Sequence, residues 1–143
     1  MWRDYLSSIS KECQFKAPAT ELELLAVEKE LDVDLPNKLI DFYNETNGVF
    51  GQYSVPFIWS IEQMVRENLL VRNIEGLENY TKPDNLLFFS DAGNGDLFGY
   101  SLVNGKVQNE DIYVWNHEDS NQRVIASSLE EFLKGWISGE ISV

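Results

Sequence analysis

Apolar residues in the first half of the chain recur at the spacing of helices. Thr20 and Glu23 form a capping box, in which each side chain bonds a free backbone N–H of the other residue. Leu22, Leu25, Ala26 and the alkyl stem of Lys29 then fall on one side of the helix that follows, and Leu31 extends the apolar run. The pattern therefore predicts a helix that begins near Thr20 and buries this side.

Two more helices are predicted before residue 75. Pro36 suits the first turn of a helix, because its missing N–H is not needed there. The apolar stripe that follows consists of Leu39, Ile40, Phe42 and Tyr43. Asn47-Gly48 predicts its end, since both residues tolerate the left-handed conformation. Ser60 and Gln63 form a second capping box, which predicts a helix to about Asn73.

Short apolar runs typical of strands dominate the rest of the chain. The aromatic stretch 53–59 predicts an edge strand, because Pro56 cannot donate to a ladder. Strands are also predicted at 86–89, 97–103, 111–115 and 123–126, with turns at 91–96 and at Asn104-Gly105, a typical hairpin pair. The polar segment 72–83 is predicted to be a loop.

The last predicted element is a helix capped by Ser128 and Glu131 and ended by Gly139. Trp136 lies on its apolar stripe, so we expect it in the core. Helices, then strands, then a closing helix predict an α+β domain over residues 1–143, with a mainly antiparallel or mixed sheet in its second half. A length of 143 residues fits one such domain.

Charge narrows the choice of partners. The chain has 24 acidic and 11 basic residues, a formal net charge of −13. Residues 83–143 hold ten of the acids and only three bases, so the excess lies on the strand-rich half. This balance argues against direct binding of nucleic acid or of anionic membranes. It favours a cationic protein partner, because acidic surfaces speed encounter with basic ones.

The single cysteine, Cys13, cannot close an intrachain disulfide, and the first residues show no signal-peptide pattern. We therefore expect a reduced, cytoplasmic protein. The lone histidine, His117, stands next to acids and could act as a general base. Oxygen ligands for a metal ion could come from Asp91, Asn94, Asp96, Glu118 and Asp119. No nucleophile elbow, EF-hand or phosphate-loop pattern supports these sites, so we expect no cofactor and no metal.

Aromatic residues near these acids suggest a protein-binding patch. Tyr53, Trp59 and Trp115 have no clear place on a core stripe. Aromatic side chains rimmed by charged ones are typical of interface centres. The alternative is that each of these residues is simply half buried in a sheet.

Four pieces of the chain, in order, resemble the SUKH superfamily. They are Leu35-Pro36 with its apolar stripe and Asn47-Gly48, the strand and glycine turn 87–96, the segment Val114-Trp-Asn-His-Glu118, and the closing helix 126–133. The resemblance runs from about residue 20 to 137. This superfamily includes bacterial toxin-immunity proteins and the fungal regulators of cell-wall synthesis.

The resemblance implies a sheet flanked by helices, no catalytic residues, and an immunity protein rather than an enzyme. Such a protein binds a toxin, often a nuclease or deaminase, by stoichiometric blockade. We expect a basic toxin domain as the partner, with an interface formed by Asp91, Asp96, Trp115, His117 and Glu118, joined by Tyr53 and Trp59. A scaffold module without a toxin, or a small metal-dependent hydrolase that uses His117, are the alternatives.

Overall fold

The computed structural model describes residues 1–73 and 85–143, so nearly all of the predicted loop 72–83 lies outside the described residues. The helices are α1 (Trp2–Ile9), α2 (Glu21–Leu31), α3 (Asn37–Glu45), α4 (Ile61–Arg72) and α5 (Leu129–Ser138). The strands are β1 (Gln14–Phe15), β2 (Val49–Phe50), β3 (Pro56–Ile58), β4 (Leu86–Asp91), β5 (Leu97–Val103), β6 (Lys106–Trp115) and β7 (Gln122–Ala126). None of these helices has the length and apolar character needed to cross a membrane.

The strands form two antiparallel sheets that meet at β3 and β4. The smaller sheet has the order β1-β2-β3 and the larger β4-β5-β6-β7. They are joined where the Trp59 N–H donates to the Phe89 carbonyl at 2.9 Å and the Ser90 hydroxyl to the Phe57 carbonyl at 2.6 Å. The α+β prediction, with its antiparallel sheet in the second half and its closing helix, is confirmed.

The Asn104-Gly105 hairpin links the larger sheet to the segment between α2 and α3. Both residues have positive φ, 53° and 77°, which suits a tight hairpin turn. The Gly105 carbonyl accepts from the Asp34 N–H at 2.9 Å. A Cβ on Gly105 would lie 2.8 Å from the Asp32 carbonyl oxygen, so only glycine fits this approach.

The core is aromatic where α5 covers the larger sheet. The ring of Phe132 lies 5.6 Å from that of Phe89 and 4.8 Å from that of Phe98. Trp136 packs on Phe98 at 5.0 Å but is only partly buried, less than its place on the stripe predicts.

Helix α1 is not predicted from the sequence, yet it contributes a buried residue to the core. Trp2 is 1% exposed and meets Phe42 edge to face at 5.9 Å. The Glu45 carboxylate at the end of α3 accepts hydrogen bonds from the Trp2 and Arg3 N–H groups. Burial opposes ionisation of Glu45, but its hydrogen bonds outweigh this effect and hold the pKa of its carboxyl below the usual range.

The predicted buried side of α2 is wrong. Leu22 and Leu25 are 78% and 54% exposed, and Ala26 is exposed as well. The buried residues are Leu24 and Val27, together with Leu31, which the prediction places in the apolar run. Apolar residues lie nearly all round this helix, so the spacing alone allows either side, and packing against α4 selects the second.

The predicted edge strand 53–59 is shorter in the structure. Strand β3 lies at the edge of its sheet as expected, but Tyr53 belongs to a short 3-10 turn before it. Tyr53 and Ser54 both have positive φ, 58° and 60°. Strand β6, in contrast, begins at Lys106 rather than at residue 111.

Asn68 attaches α4 to the free side of β4. Its amide is 1% exposed, donates to the Phe88 carbonyl at 2.8 Å and accepts from the Phe88 N–H at 3.0 Å. The same NH₂ donates to the Met64 carbonyl at 2.7 Å. One side chain thus takes the place of a neighbouring strand at Phe88 and fixes α4 beside the ends of the larger sheet.

Candidate functional site

A cleft of about 680 Å³ opens between α4 and the end of the larger sheet, and we call it the α4 cleft. Its lining residues are Trp59, Gln63, Glu67, Leu70, Val71, Asp91, Gly93, Gly95, Leu97, Trp115 and His117. Strand register builds one wall, because Asp91 pairs with Leu97 and Leu97 pairs with Trp115. These three residues therefore form a row across β4, β5 and β6.

The Asp91 carboxylate is held in place by two neutral donors. The Trp59 indole N–H donates to its Oδ2 at 2.7 Å, and the Gly93 N–H donates to its Oδ1 at 2.9 Å. Trp59 is itself fixed, since it is 1% exposed and its carbonyl accepts from the Tyr43 hydroxyl at 2.8 Å. Burial raises the pKa of Tyr43 far above its usual value, so this hydroxyl keeps its proton and remains a donor.

His117 is oriented by a buried carboxylate. Asp96 is 5% exposed, and its Oδ1 lies 3.1 Å from the His117 backbone nitrogen and 2.6 Å from the ring Nδ1. The carboxylate accepts, so Nδ1 carries a proton and Nε2 is left for a partner. A Cβ on Gly95 would lie 2.9 Å from the ring, and Gly95 has a φ of +103°, so glycine is needed for the ring to lie there.

Trp115 contributes a buried donor without an acceptor. The residue is 6% exposed, and its indole N–H has no hydrogen-bond partner in the described part of the chain. Its ring lies 6.1 Å from that of Phe88. An unpaired buried donor of this kind costs about 1–3 kcal/mol.

The other wall is a face of α4 that sequence analysis missed. Gln63, Glu67 and Leu70 line the cleft at spacings of four and three residues. The side chain of Glu67 is 30% exposed, and Leu70 is 57% exposed. Their helical spacing was visible in the sequence, but two polar residues on one side of a helix are also typical of a solvent-facing surface.

The structure brings four of the seven predicted interface residues together in the α4 cleft: Trp59, Asp91, Trp115 and His117. Asp96 lies beneath His117 and orients it rather than facing the cleft. Glu118 is 80% exposed beside the cleft, with its Oε1 3.9 Å from His117 Nε2. Tyr53 is 93% exposed on its turn and is not a lining residue.

The lining residues offer acceptors and apolar surface. Within residues 1–73 and 85–143 they include the carboxylates of Glu67 and Asp91 but no lysine or arginine, and no serine, threonine or cysteine. Residues 1–73 and 85–143 contain no group of three or more His, Cys, Asp or Glu side chains placed to hold a metal ion. The arrangement suits the binding of a group that combines positive charge with an apolar stem.

Comparison with known proteins identifies the family. A search of curated proteins finds no match. The SUKH_6 family model, described as SMI1-KNR4 cell-wall, matches residues 21–133. That range covers α2 to the middle of α5 and every residue that lines the α4 cleft. The chain therefore belongs to the SMI1-KNR4 family, as its resemblance to the SUKH superfamily predicts.

Proposed function

We propose that this protein is an immunity protein that binds and neutralises a cognate toxin domain with a basic surface. The observation that carries the proposal is the α4 cleft, in which Glu67 and Asp91 present carboxylates among apolar residues, with no lysine or arginine among its described lining residues. Membership of the SMI1-KNR4 family is consistent with this function. The protein would act in the cytoplasm of the cell that it protects.

The protein neutralises the toxin by covering its basic surface and not by a chemical reaction. The net charge of −13 draws a basic domain towards the protein, and the carboxylates orient it. Apolar residues such as Leu70, which is 57% exposed, then provide the burial that slows dissociation. One immunity protein blocks one toxin domain, and no catalytic step is needed.

The toxin that fits this surface best is a nuclease or another enzyme that acts on nucleic acid. Such enzymes hold phosphates with lysine and arginine. An acidic protein on those side chains competes directly with the substrate. The same charge complementarity makes the association fast at low salt and slower as salt screens it.

The test uses the C-terminal domain of a large secreted protein encoded beside this gene. Titration calorimetry at low and high salt measures its affinity, and co-expression measures rescue of cell growth. We expect one-to-one binding that weakens with salt, together with rescue. Leu70→Ala should weaken binding, and Glu30→Gln, an exposed change on α2, should leave binding unchanged.

The outcomes separate the possible roles. Binding that does not change with salt would support the immunity function, and it would indicate that the apolar residues of the cleft provide the affinity rather than its carboxylates. Binding that Leu70→Ala does not affect would move the interface away from the α4 cleft. Failure to bind at either salt would contradict the proposal and favour a scaffold module with another partner.

A further inference from the structure

We propose that the α4 cleft is a receptor for an arginine side chain of the partner. The inference rests on the proposed function, since it identifies the chemical group that the immunity protein captures. It follows from the two carboxylates and the apolar walls of this cleft. The shape matters as well, because about 680 Å³ accommodates a long side chain together with its backbone.

The negative charge of Asp91 has no cationic partner among the residues that the structure describes. The two hydrogen bonds it accepts there come from neutral groups, the Trp59 indole N–H and the Gly93 N–H, one on each carboxylate oxygen. A carboxylate oxygen accepts more than one hydrogen bond, so each oxygen keeps a free acceptor position. Asp91 is therefore a pre-oriented acceptor for a cation from outside.

Glu67 supplies the second carboxylate, from α4. The ion pair that it forms in this chain is weak, because Arg66 Nε lies 3.6 Å from Glu67 Oε1 and Arg66 is 63% exposed. A group that fills the cleft lies between Glu67 on α4 and Asp91 at the end of β4. Two carboxylates from two elements match the several N–H donors of one guanidinium.

The walls of the cleft select arginine over lysine. Leu70, Val71 and Leu97 give apolar surface along the path to the carboxylates. The stem of a long cationic side chain packs on such surface while its head stays polar. A guanidinium is more weakly hydrated than an ammonium and has donors in a planar fork, so it enters an apolar cleft between two carboxylates more readily.

Trp115 contributes its ring to the lining of the cleft. Its indole N–H has no acceptor among the described residues, but this nitrogen is fully buried, so it does not serve as a donor for a group in the cleft. Trp115 therefore adds contact area for the arginine side chain rather than a hydrogen bond.

The probe for this proposal is N-acetyl-arginine-methylamide, which carries one guanidinium and two amide carbonyls. Titration of ¹⁵N-labelled protein is followed by the indole N–H signals of Trp59 and Trp115. We expect a saturable shift of both signals in the millimolar range. The matched citrulline compound, which is neutral, should bind at least about tenfold more weakly, and the matched lysine compound should be weaker than arginine.

Matched variants locate the binding group. Glu67→Gln keeps the size of a partly exposed side chain, so it leaves the fold intact, and we expect at least about tenfold weaker binding of the probe. Asp91→Asn should act in the same direction. Glu30→Gln removes an equal charge from the exposed side of α2 and should not change the binding curve.

The proposal is overturned if the arginine probe causes no saturable shift, if citrulline or lysine binds equally well, or if Glu67→Gln has no effect. These results leave the immunity function intact when the toxin domain still binds, so the two failures are distinguishable. Selective binding of the arginine probe without binding of any toxin domain supports the receptor and refutes the proposed function instead.

Discussion

Replacing Asn68 by leucine tests whether its amide holds α4 to β4. The change keeps the number and branching of the side-chain heavy atoms but removes the bonds at 2.8 and 3.0 Å to the Phe88 peptide. The Phe88 N–H and carbonyl then remain buried without partners, at about 1–3 kcal/mol each. We expect Asn68→Leu to lower the free energy of unfolding by about 2–6 kcal/mol, out of a typical total of about 5–15 kcal/mol.

Urea denaturation followed by tryptophan fluorescence measures this difference. Asn73→Leu is the matched control, because Asn73 is exposed at the C-cap of the same helix and, among the described residues, its amide donates to the Leu69 carbonyl alone. We expect it to change stability by no more than about 0.5 kcal/mol. Similar small losses in both variants would refute the structural role of Asn68.

Asn68→Asp tests the same contact through the direction in which the stability loss changes with pH. The introduced carboxylate can still accept from the Phe88 N–H, but it cannot donate to the Phe88 carbonyl while ionised. Burial raises the pKa of this carboxyl in the folded state above its unfolded value of about 3.9, so the unfolded chain ionises first. The loss relative to the native protein should therefore grow as the pH rises above about 4. A loss of stability that does not change with pH would contradict the burial of the introduced carboxylate beside the Phe88 carbonyl.

Three other changes probe the contacts around the site, each by urea denaturation. Gly105→Ala should cost about 1–3 kcal/mol, because it combines a φ of +77° with a Cβ 2.8 Å from the Asp32 carbonyl, and a neutral result would contradict that approach. Tyr43→Phe should cost about 1–2 kcal/mol by leaving the Trp59 carbonyl unpaired, and it should also shift the Trp59 indole signal. Lys38→Met should cost at most about 1 kcal/mol, since Lys38 is 38% exposed between Glu110 and Glu130. Hydrogen bonds to these two residues raise the pKa of Lys38. The contribution of Lys38 to stability is therefore present at neutral pH and is lost as the pH rises through the raised pKa. It should also become smaller at high salt.

Local signals in the sequence predict the starts of the capped helices well. The Thr20–Glu23 capping box and the Ser60 and Ser128 caps are present in the structure. Each of these contacts joins residues three positions apart, so both partners can be recognised in one short stretch of sequence. The same holds for the hairpin at Asn104-Gly105.

Contacts between distant segments are less visible in the sequence. The two-residue strands β1 and β2 are too short to show any period, and α1 is placed by the contact of Trp2 with Phe42. The buried side of α2 is decided by α4, not by the spacing of its own apolar residues.

The sequence predicts only part of the candidate site, because the rest depends on contacts between distant segments. Four of its residues stand at or next to the ends of strands, and pairing of the strands brings these ends together. They are Trp59, Asp91, Trp115 and His117. Glu67 and Leu70 come from a helix whose docking depends on the amide of Asn68. The burial of Asp96 could not be predicted either, because a carboxylate is expected at the surface unless its partner is known.

The turn that carries Tyr53 has a consequence for how this molecule evolves. Tyr53 and Ser54 occupy two successive left-handed positions at which asparagine and glycine are the favoured residues. Replacing them by Asn-Gly should therefore stabilise the fold by about 1–2 kcal/mol. A protein that keeps a 93% exposed tyrosine in this conformation forgoes stability that two substitutions would restore. We expect such a position to accept other side chains without disturbing the core, so the turn can present a new contact to a partner at little cost to the fold.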